Sequence, residues 1–327
     1  MNDDDGDVTR RELEELVLGG PRLYTRAEVA ARSDVPVELA DRMWRALGFA
    51  DVADDDRSFT DNDVQALREA VALVEAGVVD QVTLLAMTRA MGQTLSRLAE
   101  WQVESVAELI LRQGIEVSER DLFETARFLL PVLERLTRHV WRRHLVAVTG
   151  RALATTPEEL TARSLGVGFA DLVGFTSLSR RLTETELAGL VESFESQAAD
   201  IVAAHHGRVV KTVGDEILFV AERPVDVAEI GLALAEIIGD EADLPPVRVG
   251  LACGTVLTRL GDVYGTPVNL ASRLTSLARP GTVLVDRDLA SELDGVDGFE
   301  LRRLRRRSVR GFEHLETSLL RRAGSDG

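Results

Sequence analysis

The spacing of apolar residues changes near residue 150, and this change divides the chain. Before it, apolar residues recur every three or four positions, which predicts helices, the longest over about 82–113 and 118–148. After it, short apolar strands alternate with helices, but a hairpin follows the first helix. The order β-α-β-β-α-β is that of a split βαβ fold. We therefore predict an all-α N-terminal domain (1–150), a linker (151–164) and an α+β domain with a ferredoxin-like core (165–327).

Several short helices are expected between residues 20 and 75, because capping residues alternate there with amphipathic segments. Thr25 can begin one helix, Gly48 can end the next, and Thr60 or Asp61 can begin a third. The three tryptophans, Trp44, Trp101 and Trp141, all lie in the N-terminal half, and we expect them to pack in a core or against a second subunit.

The formal net charge of −17 disfavours non-specific binding to nucleic acid or to an anionic membrane. No apolar run is long enough for a transmembrane helix, and the segment MNDDDGDV lacks the basic and apolar regions of a signal peptide. A cytoplasmic location without a membrane span is therefore expected. The run of arginines over 302–307 is interpreted as a solvated strand and loop.

Two aspartates carry the first indication of chemistry. Asp171 ends a predicted strand and is followed by Gly174 and Thr176, so a glycine loop leads into a helix whose first amides can hold phosphate. Asp215 lies in the hairpin after the next strand, and strands of one sheet can bring both carboxylates to one edge. Such a pair suits two metal ions acting on one phosphoryl centre. Asp171 alone would more simply cap a turn, and Asp215 could serve only its hairpin, so the metal interpretation rests on the two together.

Four segments together resemble the catalytic domain of class III adenylyl cyclases. They are FADLVGFTSLSRRLT, HGRVVKTVGDEILFV, VRVGLACGTV and GDVYGTPVNLASRL, in that family's order and spacing over about 160–322. The resemblance implies a homodimer that converts ATP to cyclic AMP with two Mg²⁺ or Mn²⁺ ions per site.

The resemblance also implies roles for individual residues. The carboxylates of Asp171 and Asp215 and the carbonyl of Leu172 would bind the metals. The amides of Val173, Gly174, Phe175 and Thr176 would hold the triphosphate, which Arg310 would also contact. Asn269 would orient the ribose, and Arg273 would stabilise the transition state. In the family the metal ligands come from one subunit, and the base- and ribose-binding residues come from the other. A complete set in one chain thus implies a head-to-tail homodimer with two equivalent sites.

Base choice would depend on Lys211, the only lysine in the chain, and on Asp262. A lysine donor and an aspartate acceptor complement N1 and N6 of adenine, whereas guanine would leave both groups unpaired. The GTP cyclases of this family carry Glu and Cys at these two positions. Since this chain has Lys and Asp instead, it resembles the ATP-specific members.

The N-terminal half leaves more than one interpretation open. It somewhat resembles the helix-turn-helix start of MerR-type regulators, although its acidic surroundings argue against DNA binding. It also resembles the helical regulatory domains of soluble mycobacterial-type cyclases, for which autoinhibition and a pH, lipid or small-molecule signal are expected. His139 and His144 are candidate pH sensors because histidine changes charge between pH 5 and 8. A catalytically inactive nucleotide-binding module and a transcription factor remain the rival hypotheses.

Overall fold

The computed structural model describes residues 3–50, 52–113, 118–153, 162–240, 244–259, 261–304, 307–309 and 312–324. The chain divides into two compact units, Met1–Val148 and Thr149–Gly327. Of the segment predicted as a linker, residues 154–161 lie outside the described residues. Its described ends, 151–153 and 162–164, are helix and strand respectively. Within the described ranges, none of the helices combines the length and apolarity needed to cross a membrane.

The first unit is helical throughout its described part. Its helices are α1 (Asp3–Leu18), α2 (Arg26–Ser33), α3 (Val37–Leu47), α4 (Asp61–Glu75), α5 (Gln81–Gln113) and α6 (Glu119–Leu153). Thr25 and Thr60 begin α2 and α4, each in a capping box with the residue three positions later. Gly48 ends α3 in the left-handed conformation. The local signals in the sequence therefore predict these boundaries correctly, with Thr60 rather than Asp61 as the cap.

The core of this unit joins α2, α3, α4 and the start of α5. Trp44 is buried there and stacks on Phe59 with ring centroids 5.2 Å apart. Trp101 on α5 and Trp141 on α6 are instead 63% and 59% exposed. Core packing thus accounts for one tryptophan, and the other two lie on helix surfaces that this chain leaves open to solvent.

The second unit is an α+β fold built on a mixed sheet. Its elements are β1 (Ala162–Leu172), α7 (Phe175–Leu178), α8 (Glu184–Ala204), β2 (Arg208–Val213), β3 (Glu216–Ala221), α9 (Pro224–Asp240), β4 (Val247–Arg259), β5 (Asp262–Tyr264), α10 (Thr266–Leu277), β6 (Val283–Val285), α11 (Arg287–Leu293), β7 (Phe299–Arg303), β8 (Arg307–Val309), β9 (Phe312–Leu315) and β10 (Ser318–Arg322). The strand order is β2-β3-β1-β4-β6-β10-β7, with β5 added to β4, while β8 and β9 form a separate hairpin. The pairs β2–β3, β3–β1 and β1–β4 are antiparallel, which confirms the predicted ferredoxin-like core, whereas β4 and β6 are parallel.

Helix α8 starts later than the sequence pattern indicates. The amphipathic pattern predicts a helix over 179–205. In the structure, the short helix α7 ends at Leu178, and α8 begins only after Thr183. The Thr183 hydroxyl accepts a hydrogen bond from the Glu186 amide, and the Glu186 carboxylate accepts one from the Thr183 amide. This capping box fixes the start of α8 at Glu184.

The two faces of the sheet bury different cores. One face packs against α8, α9 and α11 around fully buried residues such as Phe194, Phe219 and Leu234. The other face packs against α10, around Leu165, Val167 and Ala271. Because side chains alternate along each strand, the residues next to buried Ala170 and Leu172 on β1 face the α10 side. Asp171 is one of them.

Candidate active site

Asp171 lies at the end of β1, between the two strands that carry its charged neighbours. The register places Glu216 of β3 directly opposite it on one side and Arg248 of β4 opposite it on the other. Directly opposed residues of antiparallel strands project from the same face of the sheet. The backbone pairing therefore collects two carboxylates and one guanidinium at a single edge.

Arg248 forms a close ion pair with Asp171. The Arg248 Nε lies 2.6 Å from Asp171 Oδ2, and its Nη2 lies 2.5 Å from the same oxygen. The Asp171 side chain is only 13% exposed and that of Arg248 is 36% exposed. Charge-assisted hydrogen bonds of this length are about twice as strong as neutral ones. This contact thus holds the Asp171 carboxylate firmly in place.

Asp215 occupies the hairpin between β2 and β3, beside the end of β1. The Leu172 amide donates to the Asp215 carbonyl oxygen at 3.0 Å, which ties this hairpin to the end of β1. Burial raises the pKa of the Asp215 carboxyl, and the charge and side-chain contact of Asp171 raise it further. Burial, followed by the charges of Asp171 and Asp215, also raises the pKa of Glu216. The edge is therefore a concentration of negative charge that Arg248 only partly balances.

The loop after Asp171 turns sharply into α7. Gly174 has φ of +78°, in the left-handed region where a side chain is strained, so glycine suits this turn. The Val173 amide donates to the Pro246 carbonyl at 2.9 Å and so already has an acceptor. The amides of Gly174, Phe175 and Thr176 start the turn and α7. Of the four residues predicted to bind phosphate, these three have amides for which the described parts of the chain supply no hydrogen-bond acceptor.

Lys211 of β2 and Asp262 of β5 form another ion pair in this sheet. The Lys211 ammonium lies 2.7 Å from Asp262 Oδ2, and the Val263 amide donates to Asp262 Oδ1 at 2.8 Å. Burial acts to raise the pKa of Asp262, but the hydrogen bond and charge of Lys211 outweigh it and lower that pKa. The side chains are 42% and 24% exposed, so both atoms can be reached from solvent. The predicted base-recognition pair is thus assembled within one chain.

Asn269 and Arg273 lie one turn apart on α10, and both are exposed. Residues four apart share a helix face, so their side chains point into the same space. The Thr275 hydroxyl of α10 donates to the Phe169 carbonyl of β1 at 3.2 Å, which anchors this helix to the sheet. Arg310, the remaining predicted phosphate contact, lies outside the described residues.

Among the described residues, no hydrogen bond or ion pair joins these two sets of side chains. Asp171 and Asp215 form one group with Arg248, whereas Lys211 pairs with Asp262, and strand β3 lies between β2 and β1. One chain therefore presents two halves of the predicted site as separate groups.

The donor set at the Asp171 edge fits a divalent cation of the Mg²⁺ type. In the described parts of the chain, no group of three or more Asp, Glu, His or Cys side chains is placed to hold a metal ion. Mg²⁺ is commonly bound by one or two carboxylates, with water and substrate phosphates completing its shell. Asp171 and Asp215 match that pattern, and the Arg248 guanidinium shows that a cation is accommodated at Asp171.

Sequence reasoning missed Arg248 and Glu216. Arg248 is a charged residue inside the apolar segment VRVGLACGTV, and a charge in a predicted buried strand is a signal that it needs a partner. Its partner could be named only from the strand register, since Asp171 is 77 positions away in sequence. Glu216 follows Asp215 directly and was hidden by the hairpin interpretation.

Comparisons with known proteins identify the family of this chain. The family described as "Adenylate and Guanylate cyclase catalytic domain" matches residues 159–322, and the "Adenylate cyclase regulatory domain" matches residues 13–145. The chain therefore belongs to the adenylate and guanylate cyclase family, the class III cyclases, as its sequence motifs indicate.

Curated relatives cover most of the chain. An "Adenylate cyclase" of Streptomyces coelicolor is 48% identical over 86% of this chain and 74% of its own length. One of Glutamicibacter nicotianae is 37% identical over 94% of this chain and 81% of its own length. A "pH-sensitive adenylate cyclase" of Mycobacterium tuberculosis is 32% identical over 90% of this chain and 77% of its own length. The similarity thus extends through both units.

Proposed function

We propose that the protein is an adenylate cyclase, which converts ATP to 3′,5′-cyclic AMP and pyrophosphate. One observation carries this proposal: a single sheet bears both the Asp171 edge and the Lys211–Asp262 pair. The first suits metal-bound phosphate and the second suits adenine. The adenylate cyclases among the relatives support the same activity.

Phosphate binding falls to the edge at the end of β1. Asp171, Asp215 and the Leu172 carbonyl would hold two divalent ions, Mg²⁺ or Mn²⁺, which when bound acidify the ribose 3′-hydroxyl and neutralise phosphate charge. The amides of Gly174, Phe175 and Thr176 donate to phosphate oxygens at the start of α7.

Base selection falls to Lys211 and Asp262. The ammonium donates to adenine N1, and the carboxylate accepts from the N6 amino group. Guanine offers a donor at N1 and an acceptor at O6, so each protein group would face a group of its own kind. A binding site that leaves such groups unpaired with the wrong substrate can lower kcat/KM for that substrate by several orders of magnitude.

The chemical step is an in-line displacement at the α-phosphorus. The ribose O3′–Pα bond forms, the bond from Pα to the bridging oxygen of pyrophosphate breaks, and the hydroxyl proton leaves to solvent or to a carboxylate. Asn269 orients the ribose for this attack. Arg273 donates to the phosphoryl oxygens as their charge develops, a preorganised interaction often worth about 3 kcal/mol.

We further propose that each site is shared by two subunits of a homodimer. The Asp171 group and the Lys211 group remain separate in one chain, and Asn269 and Arg273 face outward on α10. The exposed Trp101 and Trp141 offer further surface for a partner. A two-fold dimer would complete two equivalent sites from complementary halves.

Complementation tests this arrangement directly. Chains carrying Asp171→Asn and chains carrying Arg273→Ala are each inactive alone, but a mixed dimer has one intact site. Equal mixing should restore about a quarter of wild-type activity, since half the dimers are mixed and each has one of two sites. Mixtures that stay inactive, although the chains exchange subunits, would exclude shared sites.

Activity itself is tested by measuring cyclic nucleotide formed from ATP and from GTP with Mn²⁺. Wild type should make cyclic AMP, and Asp171→Asn and Asp215→Asn should not. Asp200→Asn, on the exposed surface of α8, is the matched control and should retain activity. If neither ATP nor GTP gives product at any pH between 5.5 and 8, an inactive nucleotide-binding module would be favoured instead.

Residues 1–150 are proposed as a regulatory domain, consistent with the regulatory-domain match over 13–145. His139 and His144 lie exposed on α6. If they sense pH, His139→Gln with His144→Gln should flatten the activity profile of the full chain between pH 5.5 and 8. An unchanged profile would assign pH dependence elsewhere.

A further inference from the structure

The Arg248 guanidinium contacts one of the two carboxylate oxygens of Asp171, the residue that would bind a metal ion. Both Nε and Nη2 of Arg248 approach the same atom, Asp171 Oδ2, at 2.6 and 2.5 Å. A divalent cation at this oxygen would have to displace the two donors, and at either oxygen the positive guanidinium beside it would repel the cation. The guanidinium therefore competes with a metal ion for the Asp171 carboxylate.

The strand register makes this contact an intrinsic part of the fold. Asp171 and Arg248 are paired positions of β1 and β4, the two strands that share the longest ladder of the sheet. Their side chains project from directly opposed backbone positions on the same face of the sheet, so the two charged groups are close without any change in the backbone. With 13% exposure, Asp171 is also shielded from the water that weakens surface ion pairs.

Arg248 also balances charge that would otherwise be unfavourable. Asp171, Asp215 and Glu216 adjoin one another, and Arg248 is the cation that the structure places among them. In the absence of metal, the guanidinium keeps the carboxylates together. Removing it should both free Asp171 and increase the repulsion that a divalent cation relieves.

We propose that Arg248 is a built-in counter-ion that holds Asp171 closed to metal in the substrate-free protein. Metal binding through Oδ2 then requires the guanidinium to leave, and a metal at the other oxygen would lie beside its charge, so the free protein binds a divalent ion weakly. The phosphates of the nucleotide supply another anionic partner for the guanidinium, and the metal and nucleotide consequently bind together. This inference rests on the metal-binding role of Asp171 in the proposed function.

The test is Mn²⁺ binding to the full chain without nucleotide, followed by the electron paramagnetic resonance signal of free Mn²⁺. Arg248→Gln keeps hydrogen-bonding capacity but removes the charge. It should bind Mn²⁺ roughly tenfold more tightly than wild type, about the strength of one charge-assisted hydrogen bond. Asp171→Asn in the same background should abolish the gain, and Asp200→Asn should leave it intact.

A second readout is thermal stability, measured without metal and with saturating Mn²⁺. The melting temperature of Arg248→Gln without metal should fall below that of wild type, and saturating Mn²⁺ should raise it by more than it raises wild type. Arg248→Lys retains the charge with a single-point donor, so it should fold and show a smaller gain in Mn²⁺ affinity. It serves as the test variant if Arg248→Gln does not fold.

Several outcomes would overturn the proposal. Equal or weaker Mn²⁺ binding by both Arg248 variants would mean that the guanidinium does not compete, or that it orients Asp171 for the metal. A gain that survives Asp171→Asn would arise at another site. Failure of the proposed function is distinguishable: Asp171→Asn would then bind Mn²⁺ as wild type does, even with a non-cleavable ATP analogue present.

Discussion

Asp286 provides the sharpest test of how burial and charge are balanced in the second unit. It precedes α11 and is only 3% exposed, and its Oδ1 accepts a hydrogen bond from the Leu289 amide at 2.9 Å. Burial raises the pKa of the Asp286 carboxyl to about 7. The expected consequence is a stability that depends on pH, which Asp286→Asn should remove while it keeps the capping oxygen.

The sign follows from the two states of the protein. Well below pH 3.8 the carboxyl is protonated in both states and contributes nothing. As pH rises towards 7, the unfolded chain ionises while the folded chain keeps the proton, so the free energy of unfolding falls. With an unfolded pKa of 3.8 and a folded pKa of about 7, the loss approaches about 4 kcal/mol at about 1.4 kcal/mol per pH unit. Above pH 7 the deficit is constant.

The assay is urea denaturation from pH 4 to 8, followed by far-ultraviolet circular dichroism. All three tryptophans lie before residue 150, so tryptophan emission reports the first unit, and the remaining transition reports the second. The difference in unfolding free energy between Asp286→Asn and wild type should rise in favour of the variant towards pH 7. The exposed Asp297→Asn should show no such slope. Parallel curves for Asp286→Asn and wild type would refute the reasoning, because the amide donors would then outweigh burial.

Three further predictions follow from single contacts. Gly250→Ala should destabilise the second unit by about 1–3 kcal/mol in urea, because its Cβ would lie 2.2 Å from the Thr275 backbone nitrogen of α10. Lys211→Glu with Asp262→Cys should lower kcat/KM for ATP at least about 100-fold and raise it for GTP, measured by product mass spectrometry; unchanged preference would exclude this pair from base choice. Thr183→Ala should cost about 1 kcal/mol through loss of the α8 cap, and Thr183→Ser should restore it.

The sequence predicts this fold well where local signals and periodicity agree. Capping residues such as Thr25 and Thr60 mark helix starts because their side chains satisfy amides that no helix can pair internally. The hairpin at Gly214 was predicted because a Gly-Asp pair between two strand-like segments favours a tight turn, and the structure gives this glycine a φ of +63°. The predicted start of α8 at residue 179 was wrong. The amphipathic pattern continues through 179–183, and it does not reveal that Thr183 forms the capping box at which the helix begins.

The candidate site divides in the same way. Asp171 and Asp215 could be predicted because each ends a strand or occupies a turn, and their spacing matches a family motif. Lys211 and Asp262 could be assigned by resemblance, and the structure brings them within 2.7 Å. The partner of Arg248 could not be predicted, since pairing between β1 and β4 depends on the register of the whole sheet. A one-residue slip would turn Arg248 to the other face.

The two ion pairs bear on how the proposed enzyme would recognise its substrate. In the free chain, Asp171 is held by Arg248 and Asp262 is held by Lys211, so both recognition carboxylates already have a cation. A nucleotide must offer each group a better partner, because opening a pair without replacement leaves a partly buried charge unsatisfied. ATP with metal can replace both, whereas GTP can replace only the phosphate-side partner. The free-state ion pairs would therefore sharpen discrimination, since the wrong base would bear the cost of separating Lys211 from Asp262.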